Sequence, residues 1–179
     1  PESSFITQYI LEGFGKLQNM NVINNLKKDQ QNIVRTITNK CIDFVSKKVI
    51  DHYNYILKEN KGKYYYSSAT TSNLFALSYF DFDYDNDFVA AKKYFIKKLN
   101  DDWKKLDFES QAKIALILHR NGENDAAQLI VKSLKERAQK SETLGMYWAG
   151  NSNYFSSASQ VKIHTVIMEA FKEINPNEN

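Results

Sequence analysis

Two kinds of helical segment alternate along this chain, and the alternation limits what it can fold into. The segments Ile6–Leu17 and Phe108–Leu118 are apolar on almost every side, whereas Ile33–Ile56 and Asn124–Gln139 carry apolar residues mainly on one face. The first kind suits a helix enclosed by others, and the second suits a helix at a surface. The chain has only 6 Gly and 2 Pro, so few residues would interrupt such helices. The sequence therefore predicts an all-α protein built of hairpins of inner and outer helices.

Helical periodicity predicts the buried face of each segment and the residues at which it begins and ends. The predicted buried stripes are Ile6, Ile10, Phe14 and Leu17 in the first helix; Ile33, Ile37, Cys41, Phe44, Val45, Val49, Tyr53 and Ile56 in the second; Phe88, Ala91, Phe95, Leu99 and Trp103 in the fourth; Ala126, Ile130, Leu134 and Ala138 in the sixth; and Val161, His164, Ile167, Met168, Phe171 and Ile174 in the last. Asp87 is predicted to cap the fourth helix, and Asn121-Gly122 to end the fifth. A turn flanked by aromatic residues predicts one short β-hairpin near residues 146–155.

Charge and composition bear on partners more than on fold. With 24 basic against 21 acidic residues, the net charge of +3 is too balanced for a nucleic-acid surface. In addition, no stretch reaches the roughly 18–20 consecutive apolar residues that a membrane span needs. From these two observations, we expect this domain to contact neither nucleic acid nor membrane. The chain starts at Pro1 and opens directly in helical pattern. We expect residues 1–179 to form a single helical domain that is a fragment of a much larger chain.

The residues that could hold a metal or act as nucleophiles match no known motif. One loop carries four alternating carboxylates: Asp81, Asp83, Asp85 and Asp87. The EF-hand positions for Gly and Glu hold Asn86 and Lys92, so a solvated acidic turn is predicted. Three histidines lie far apart in the sequence: His52, His119 and His164. His164 falls on a buried stripe, where a hydrogen-bonded structural role is expected, and Cys41 is expected in the core. No metal and no cofactor are predicted.

Two groups of aromatic residues are candidates for a binding surface. They are Tyr64, Tyr65 and Tyr66, and, near the predicted hairpin, Tyr147, Trp148, Tyr154 and Phe155. Such rings anchor ligands or peptides in many proteins, but they also close the ends of helical barrels, and both interpretations stay open. The chain contains no glycine-rich phosphate loop, no Gly-x-Ser-x-Gly elbow and no His-Glu-x-x-His pair. We therefore predict that it is not an enzyme.

Three segments together resemble a known family. They are Ile6-Thr7-Gln8 followed by Tyr9-Ile10-Leu11-Glu12-Gly13-Phe14-Gly15-Lys16-Leu17; Leu144-Gly145-Met146-Tyr147-Trp148; and Gln160 to Ile174 with Glu169-Ala170-Phe171. In that order they are similar to the thioester-type domain of bacterial alpha-2-macroglobulin-like proteins of the Bacteroidetes type. The resemblance spans the whole chain, and its specific motifs lie toward the two ends.

The resemblance implies a fold, a function and a location. In that family the domain is an α/α toroid of helical hairpins, of which this chain would be the C-terminal part. Family members are broad-spectrum protease traps, so the chain would be a non-catalytic scaffold in an extracytoplasmic inhibitor, contacting other domains of the same chain and target proteases only indirectly. The family's thioester motif is Cys-x-Glu-Gln, but Cys41 is followed by Ile42-Asp43-Phe44. No thioester residue is therefore present in this chain; either it lies upstream or the protein lacks it.

Two other functions compete with a trap scaffold. The same fold hosts carbohydrate- and terpenoid-active enzymes, which need acidic residues at the mouth of the ring. Glu12, Glu109 and Glu169 are expected to be the only carboxylates of the inner helices, and each is expected at a helix end or facing outward. A helical-repeat scaffold that binds a peptide through the aromatic residues is the other alternative.

Overall fold

The fold is mostly helical, with one small antiparallel sheet, in a computed structural model that describes residues 3–59, 61–143, 145–149 and 157–176. Within these ranges the elements are α1 (Ser4–Asn19), α2 (Lys28–Lys58), α3 (Ser68–Leu77), α4 (Asn86–Asp102), α5 (Phe108–Arg120), α6 (Asn124–Glu136), β1 (Gln139–Ser141), β2 (Gly145–Tyr147) and α7 (Ser157–Ile174). The predicted all-α fold with a short hairpin is confirmed. None of the helices in the described ranges is both long and apolar enough to cross a membrane.

The chain divides into two compact units, residues 1–95 and 96–179, with the boundary inside α4. In the first unit α1, α2 and α3 pack on one another, and in the second α5 packs against both α6 and α7. Each unit thus places an amphipathic helix beside two more apolar ones, as expected for hairpins of inner and outer helices. The single domain over 1–179 and the partial toroid stay predictions.

The helix ends follow local capping chemistry. The side chains of Ser3, Ser67 and Asp107 cap α1, α3 and α5, and the Asp107 Oδ1 atom accepts a hydrogen bond from the Ser110 amide at 2.9 Å. Gly122 follows α5 with a φ of 85°, which confirms the predicted stop. The predicted cap of α4 is wrong. The Phe88 amide donates to the side chain of Asp85, so Asp85 is the residue that caps α4. Helix α4 begins at Asn86, and Asp87 lies inside its first turn.

The predicted buried stripe of α1 is also wrong. Ile6, Ile10 and Leu17 are exposed, and Phe14 is only half-buried. The buried residues are instead the set Gln8, Leu11, Glu12 and Gly15. Because α1 is apolar on several sides, periodicity alone does not select the face that packs. The face that packs is the one with Gly15, because the missing side chain lets α3 and the residues after it approach the α1 backbone closely.

The predicted stripe of α4 is correct, and those of α2, α6 and α7 are correct in part. All five residues predicted for α4 are buried, and in α2 the buried stripe runs from Cys41 to Ile56. Ile33 and Ile37, in the first half of α2, are exposed, contrary to prediction. In α7 the predicted Val161 and Met168 are likewise exposed, whereas Val166, Ile167, Ala170 and Ile174 are buried. The long helices therefore bury their apolar stripes only over the stretches that have a neighbour.

The hairpin lies somewhat earlier than the predicted residues 146–155. Strand β1 pairs antiparallel with β2, with Lys140 opposite Met146. Helix α6 accordingly ends at Glu136, three residues before the predicted Gln139. Gly145 has a φ of 69°, a conformation that costs glycine little, and it begins β2 directly after the turn. Residues 151–156, in the second half of the predicted range, lie outside the described residues.

Two glycines in α1 have opposite surroundings. A Cβ atom built on Gly15 would lie 2.5 Å from both Cβ and Cγ of Tyr79, whereas one built on Gly13 would have no atom of the described structure within 4 Å. Gly15 is therefore required where α1 meets the residues that follow α3. Gly13 has no such requirement among the residues that the structure describes.

We expect Gly15→Ala to lower the free energy of unfolding by about 1–3 kcal/mol, because the added methyl group must displace Tyr79 close to its backbone. Gly13→Ala adds the same methyl group in open space and should raise the free energy of unfolding by up to about 1 kcal/mol through helix propensity. Urea unfolding in dilute solution, followed by circular dichroism, measures both. Equal effects of the two substitutions would contradict the contact with Tyr79.

Candidate functional site

Trp148, predicted as part of an aromatic surface, lies in the core of the second unit. Its side chain is 4% exposed, and its indole N–H donates to the Leu134 carbonyl at 2.7 Å. Its ring contacts those of His164 and Phe171 at centroid distances of 5.9 and 5.8 Å. Trp148 thus anchors the segment after the hairpin to α6 and α7, and its assignment to a surface is wrong. Tyr147 is half-buried, and Tyr154 and Phe155 lie outside the described residues.

His164 has the structural role that the sequence predicts. Its Nδ1 atom lies 2.7 Å from the Gln160 carbonyl, and its Nε2 atom accepts from the Trp148 backbone N–H at 3.2 Å. A carbonyl oxygen only accepts, so the ring proton must be on Nδ1 and Nε2 must be unprotonated. The ring is therefore a neutral link between α7 and Trp148, with both nitrogens engaged.

The tyrosines that precede α3 pack mostly inward. The Tyr64 ring lies 6.2 Å from that of Tyr94 and 6.4 Å from that of Phe95. The His52 ring stacks on Phe95 at 5.2 Å, its Nδ1 lies 2.6 Å from the Thr70 hydroxyl, and burial lowers its pKa. Tyr65 alone of the three tyrosines is largely exposed. The group therefore contributes more to packing in the first unit than to a continuous aromatic surface.

Glu12 lies inside the first unit and not, as predicted, at a helix end or facing outward. It is in the middle of α1 and only 6% exposed. One carboxylate oxygen accepts from the Lys16 ammonium at 2.7 Å, and the other accepts from the Gln8 amide at 3.0 Å. Both oxygens are occupied by neighbours one helical turn away, which satisfies a buried charge locally.

Glu109, on α5, pairs with two lysines. Its Oε1 atom lies 2.7 Å from the Lys113 ammonium and 2.9 Å from that of Lys162 on α7. Burial raises the pKa of this carboxyl, but the hydrogen bonds and charges of the two lysines outweigh it and hold the pKa below its ordinary value of 4.5. Glu109 lies in the first turn of α5, at a helix end as the sequence predicts, and its ion pair with Lys162 ties α5 to α7.

Arg120 makes a second charged link between α5 and α7. Its Nε and Nη2 atoms each donate to a different oxygen of Glu173 at 2.7 Å, and Nη2 also donates to Glu169 at 2.8 Å. The Arg120 side chain is only 9% exposed. A bidentate pair of this kind fixes both direction and distance between two helices. Glu169 is thus also an ion-paired residue, not an outward-facing one.

The arrangement of charges favours structure over acid–base chemistry. Among the described residues of α1, α5 and α7, every carboxylate is within 3.0 Å of a cation. A general acid or base must be able to gain or lose a proton during the reaction, and a close cation opposes protonation. Sequence reasoning noted three of these four glutamates but missed Glu173 and all the cations. The i,i+4 spacing of Glu12 with Lys16, and of Glu109 with Lys113, could have predicted these two ion pairs.

A groove on the second unit offers another candidate for binding. Its volume is about 470 Å³. It is lined by Trp103, Lys104, Leu129, Lys132, Ser133, Glu136 and Arg137. Leu129 is half exposed, and three of the seven lining residues are cationic against one carboxylate. Such a surface can hold a ligand that has an apolar part and negative charge. The sequence prediction missed this groove because its residues come from separate elements.

The acidic loop and the cysteine have ordinary structural roles. Asp85 caps α4, and the Tyr84 ring stacks on Phe88 at 5.2 Å. Over the described residues, no group of three or more His, Cys, Asp or Glu side chains is placed to hold a metal ion. Cys41 is buried, and burial raises the pKa of its thiol, which lowers its reactivity.

Comparison with known proteins gives no relative on which to base a function. No protein-family model matches the chain, and neither a curated protein nor a solved structure does. The function must therefore be argued from the residues and their geometry.

We expect Arg120→Met to destabilise the fold by about 3 kcal/mol, because it removes the cation from between two partly buried carboxylates. Arg120→Lys keeps the charge but not the bidentate geometry, and should cost about 1–2 kcal/mol. The control is Lys105→Met, which removes an exposed pair with Asp102 at 3.1 Å and should change stability by less than about 0.5 kcal/mol. Thermal unfolding ranks the three variants, and a similar loss for Arg120→Met and Lys105→Met would contradict the link.

Glu109 should make stability depend on pH on the acid side. Because its pKa is lowered in the folded state, its contribution is present above the unfolded-state pKa and is lost as the pH falls through the folded-state value. In urea unfolding at a series of acidic pH values, Glu109→Gln should therefore show a shallower fall in stability than the unchanged chain. Glu142→Gln, at an exposed position in the hairpin turn, should keep the original slope.

Proposed function

We propose that this chain is a non-catalytic scaffold segment of an alpha-2-macroglobulin-like protease trap. Its role is to hold other domains of a larger polypeptide in place, and it meets target proteases only indirectly. In keeping with the family, its location would be extracytoplasmic. The proposal has two parts, a scaffold role and a family, and they rest on different observations.

The scaffold role rests on the ion-paired state of the inner-helix carboxylates. Glu109 and Arg120 bind α5 to α7, and Glu12 satisfies its charge within α1. These side chains are the ones that an α/α-toroid enzyme would need at the mouth of its ring. Their use in holding helices together favours a structural role over the carbohydrate- or terpenoid-active enzyme.

The family rests on the resemblance of three sequence segments. The first corresponds to α1, where Glu12 and Gly15 are buried. The second includes Trp148, and the third corresponds to α7, where Glu169 pairs with Arg120 and Ala170 is buried. Each segment thus supplies packing residues, which is consistent with motifs that maintain a scaffold.

A peptide-binding scaffold is the second candidate, and the groove beside Trp103 is the observation that favours it. Its cationic rim suits an acidic peptide with at least one apolar side chain, for which Leu129 offers a partly exposed contact. Lys132→Glu separates the two candidates. It should abolish peptide binding if the groove is functional and should leave a trap intact.

The test of the trap uses the complete polypeptide that carries this chain. After incubation with an endopeptidase, the enclosed protease should still hydrolyse a small chromogenic peptide but should no longer digest a large protein such as casein. The 179-residue chain alone is the control and should leave both activities unchanged. If the complete polypeptide left casein digestion unaffected, or blocked both substrates equally, the protease-trap function would be contradicted.

A further inference from the structure

The groove beside Trp103 holds charged groups that do not neutralise one another. Lys132 and Glu136 lie one turn apart on α6, a spacing that permits an ion pair. Among the described residues, however, no cation lies within 4.0 Å of the Glu136 carboxylate, and neither Lys132 nor Lys104 has a carboxylate within that distance. The groove therefore keeps both signs of charge available to a ligand.

Arg137 lines this groove with a guanidinium that is already held in place. Its Nε atom donates to the Ser133 carbonyl at 3.0 Å, and its Nη2 atom donates to the Gln111 side chain. Its central carbon lies 5.1 Å from the centroid of the Phe108 ring. A guanidinium has five N–H donors, so three of them find no acceptor among the described residues. A fixed fork with unused donors loses little freedom when it binds a planar carboxylate.

The groove also offers an acceptor, which limits the ligands that complement it. The Glu136 carboxylate only accepts, whereas the half-buried Ser133 hydroxyl, which has no partner among the described residues, can donate or accept. A phosphate ion or a fatty acid would bring no N–H donor to Glu136, and its negative charge would be repelled there. A peptide backbone brings an N–H donor and a C=O acceptor at almost every residue. The mixed groups therefore favour a peptide over a simple anion.

The length of the groove sets the spacing of the side chains that the peptide presents. Leu129, which is 51% exposed, and Arg137 are eight residues apart, or roughly 12 Å along the helix axis. An extended peptide advances about 3.3 Å per residue, and its alternate side chains point to the same side. Side chains four positions apart thus share one side at about 13 Å, whereas side chains three positions apart point to opposite sides. A peptide this short does not hold a helix in water, so the extended form is the relevant one.

We propose that this groove binds an extended acidic peptide, with a glutamate carboxylate on Arg137 and an apolar side chain, four positions away, on Leu129. The ammonium groups of Lys104 and Lys132 attract the negative charge of the peptide, and Glu136 accepts from its backbone N–H groups. This binding mode rests on the peptide-binding scaffold, the second candidate function. It adds the position of the carboxylate and the spacing between the two recognised side chains.

Three serine-rich nonapeptides with blocked ends test this binding mode. The first has phenylalanine at the centre and glutamate at both ends, which gives the four-residue spacing in either chain direction. The second has the same composition, with each glutamate moved one position toward the centre, and the third is the first with glutamine in place of glutamate. In isothermal titration calorimetry with the 179-residue chain, the first peptide should bind at least about tenfold more tightly than the other two.

Two variants test the residues that hold the peptide. Arg137→Lys keeps the charge but loses the fork, and it should weaken binding of the first peptide at least about fivefold. Leu129→Ser removes the apolar contact and should weaken binding to a similar extent; because Leu129 is exposed, this variant provides the test if circular dichroism shows that Arg137→Lys does not fold. Leu57→Ser, at a 48% exposed leucine of α2, is the matched control and should leave the affinity unchanged.

Equal affinity for the three peptides, or an affinity that neither variant changes, would overturn this binding mode but leave the peptide-binding scaffold standing, since a peptide would still bind. Displacement of the first peptide by an equal concentration of inorganic phosphate would overturn it too, because a general anion site needs no peptide. Absence of binding by all three peptides at millimolar concentration would overturn both the binding mode and the peptide-binding scaffold. The protease trap is independent of these outcomes, because the digestion of casein tests it.

Discussion

The structure depends on the enclosure of helices that still carry polar side chains. On α5, every residue from Ser110 to Leu118 is buried, including Gln111 and Lys113. Burial of such groups is tolerated only when each finds a bonding partner. Lys113 pairs with Glu109, while the Gln111 amide nitrogen donates to the Leu106 carbonyl at 2.6 Å and its oxygen accepts from Arg137. These bonds connect α5 to the turn before it, to the end of α6 and, through Glu109, to α7.

The local features of the fold could be predicted because local chemistry determines them. The stop at Gly122 and the buried stripe of α4 were predicted correctly, and each follows from residues that are close in the sequence. Trp148 illustrates the limit. An aromatic residue in a polar, turn-like segment suits a surface and a core equally well, and its partners Leu134 and His164 lie 14 and 16 residues away. Tertiary contacts, which periodicity does not describe, decided its position.

The candidate site was less predictable than the fold for the same reason. Arg120 meets Glu169 and Glu173 across 49 and 53 residues of sequence, so no spacing rule identifies the pairs. The predicted buried stripe of α1 was wrong for a different reason. When a helix is apolar on most sides, its sequence predicts that neighbours exist but not which side each one occupies, and Gly15 selected the side that α3 approaches. The other apolar side of α1 stays exposed in the described structure.

The two bonds of Gln111 also constrain how this protein can vary. Its amide nitrogen must donate and its oxygen must accept at the same time, a combination that among side chains of this length only glutamine supplies without a charge. Glutamate at this position would lose the donor to Leu106, and lysine would repel Arg137. Substitutions at positions 111 and 137 are therefore coupled, because a change at either position removes the hydrogen bond between them.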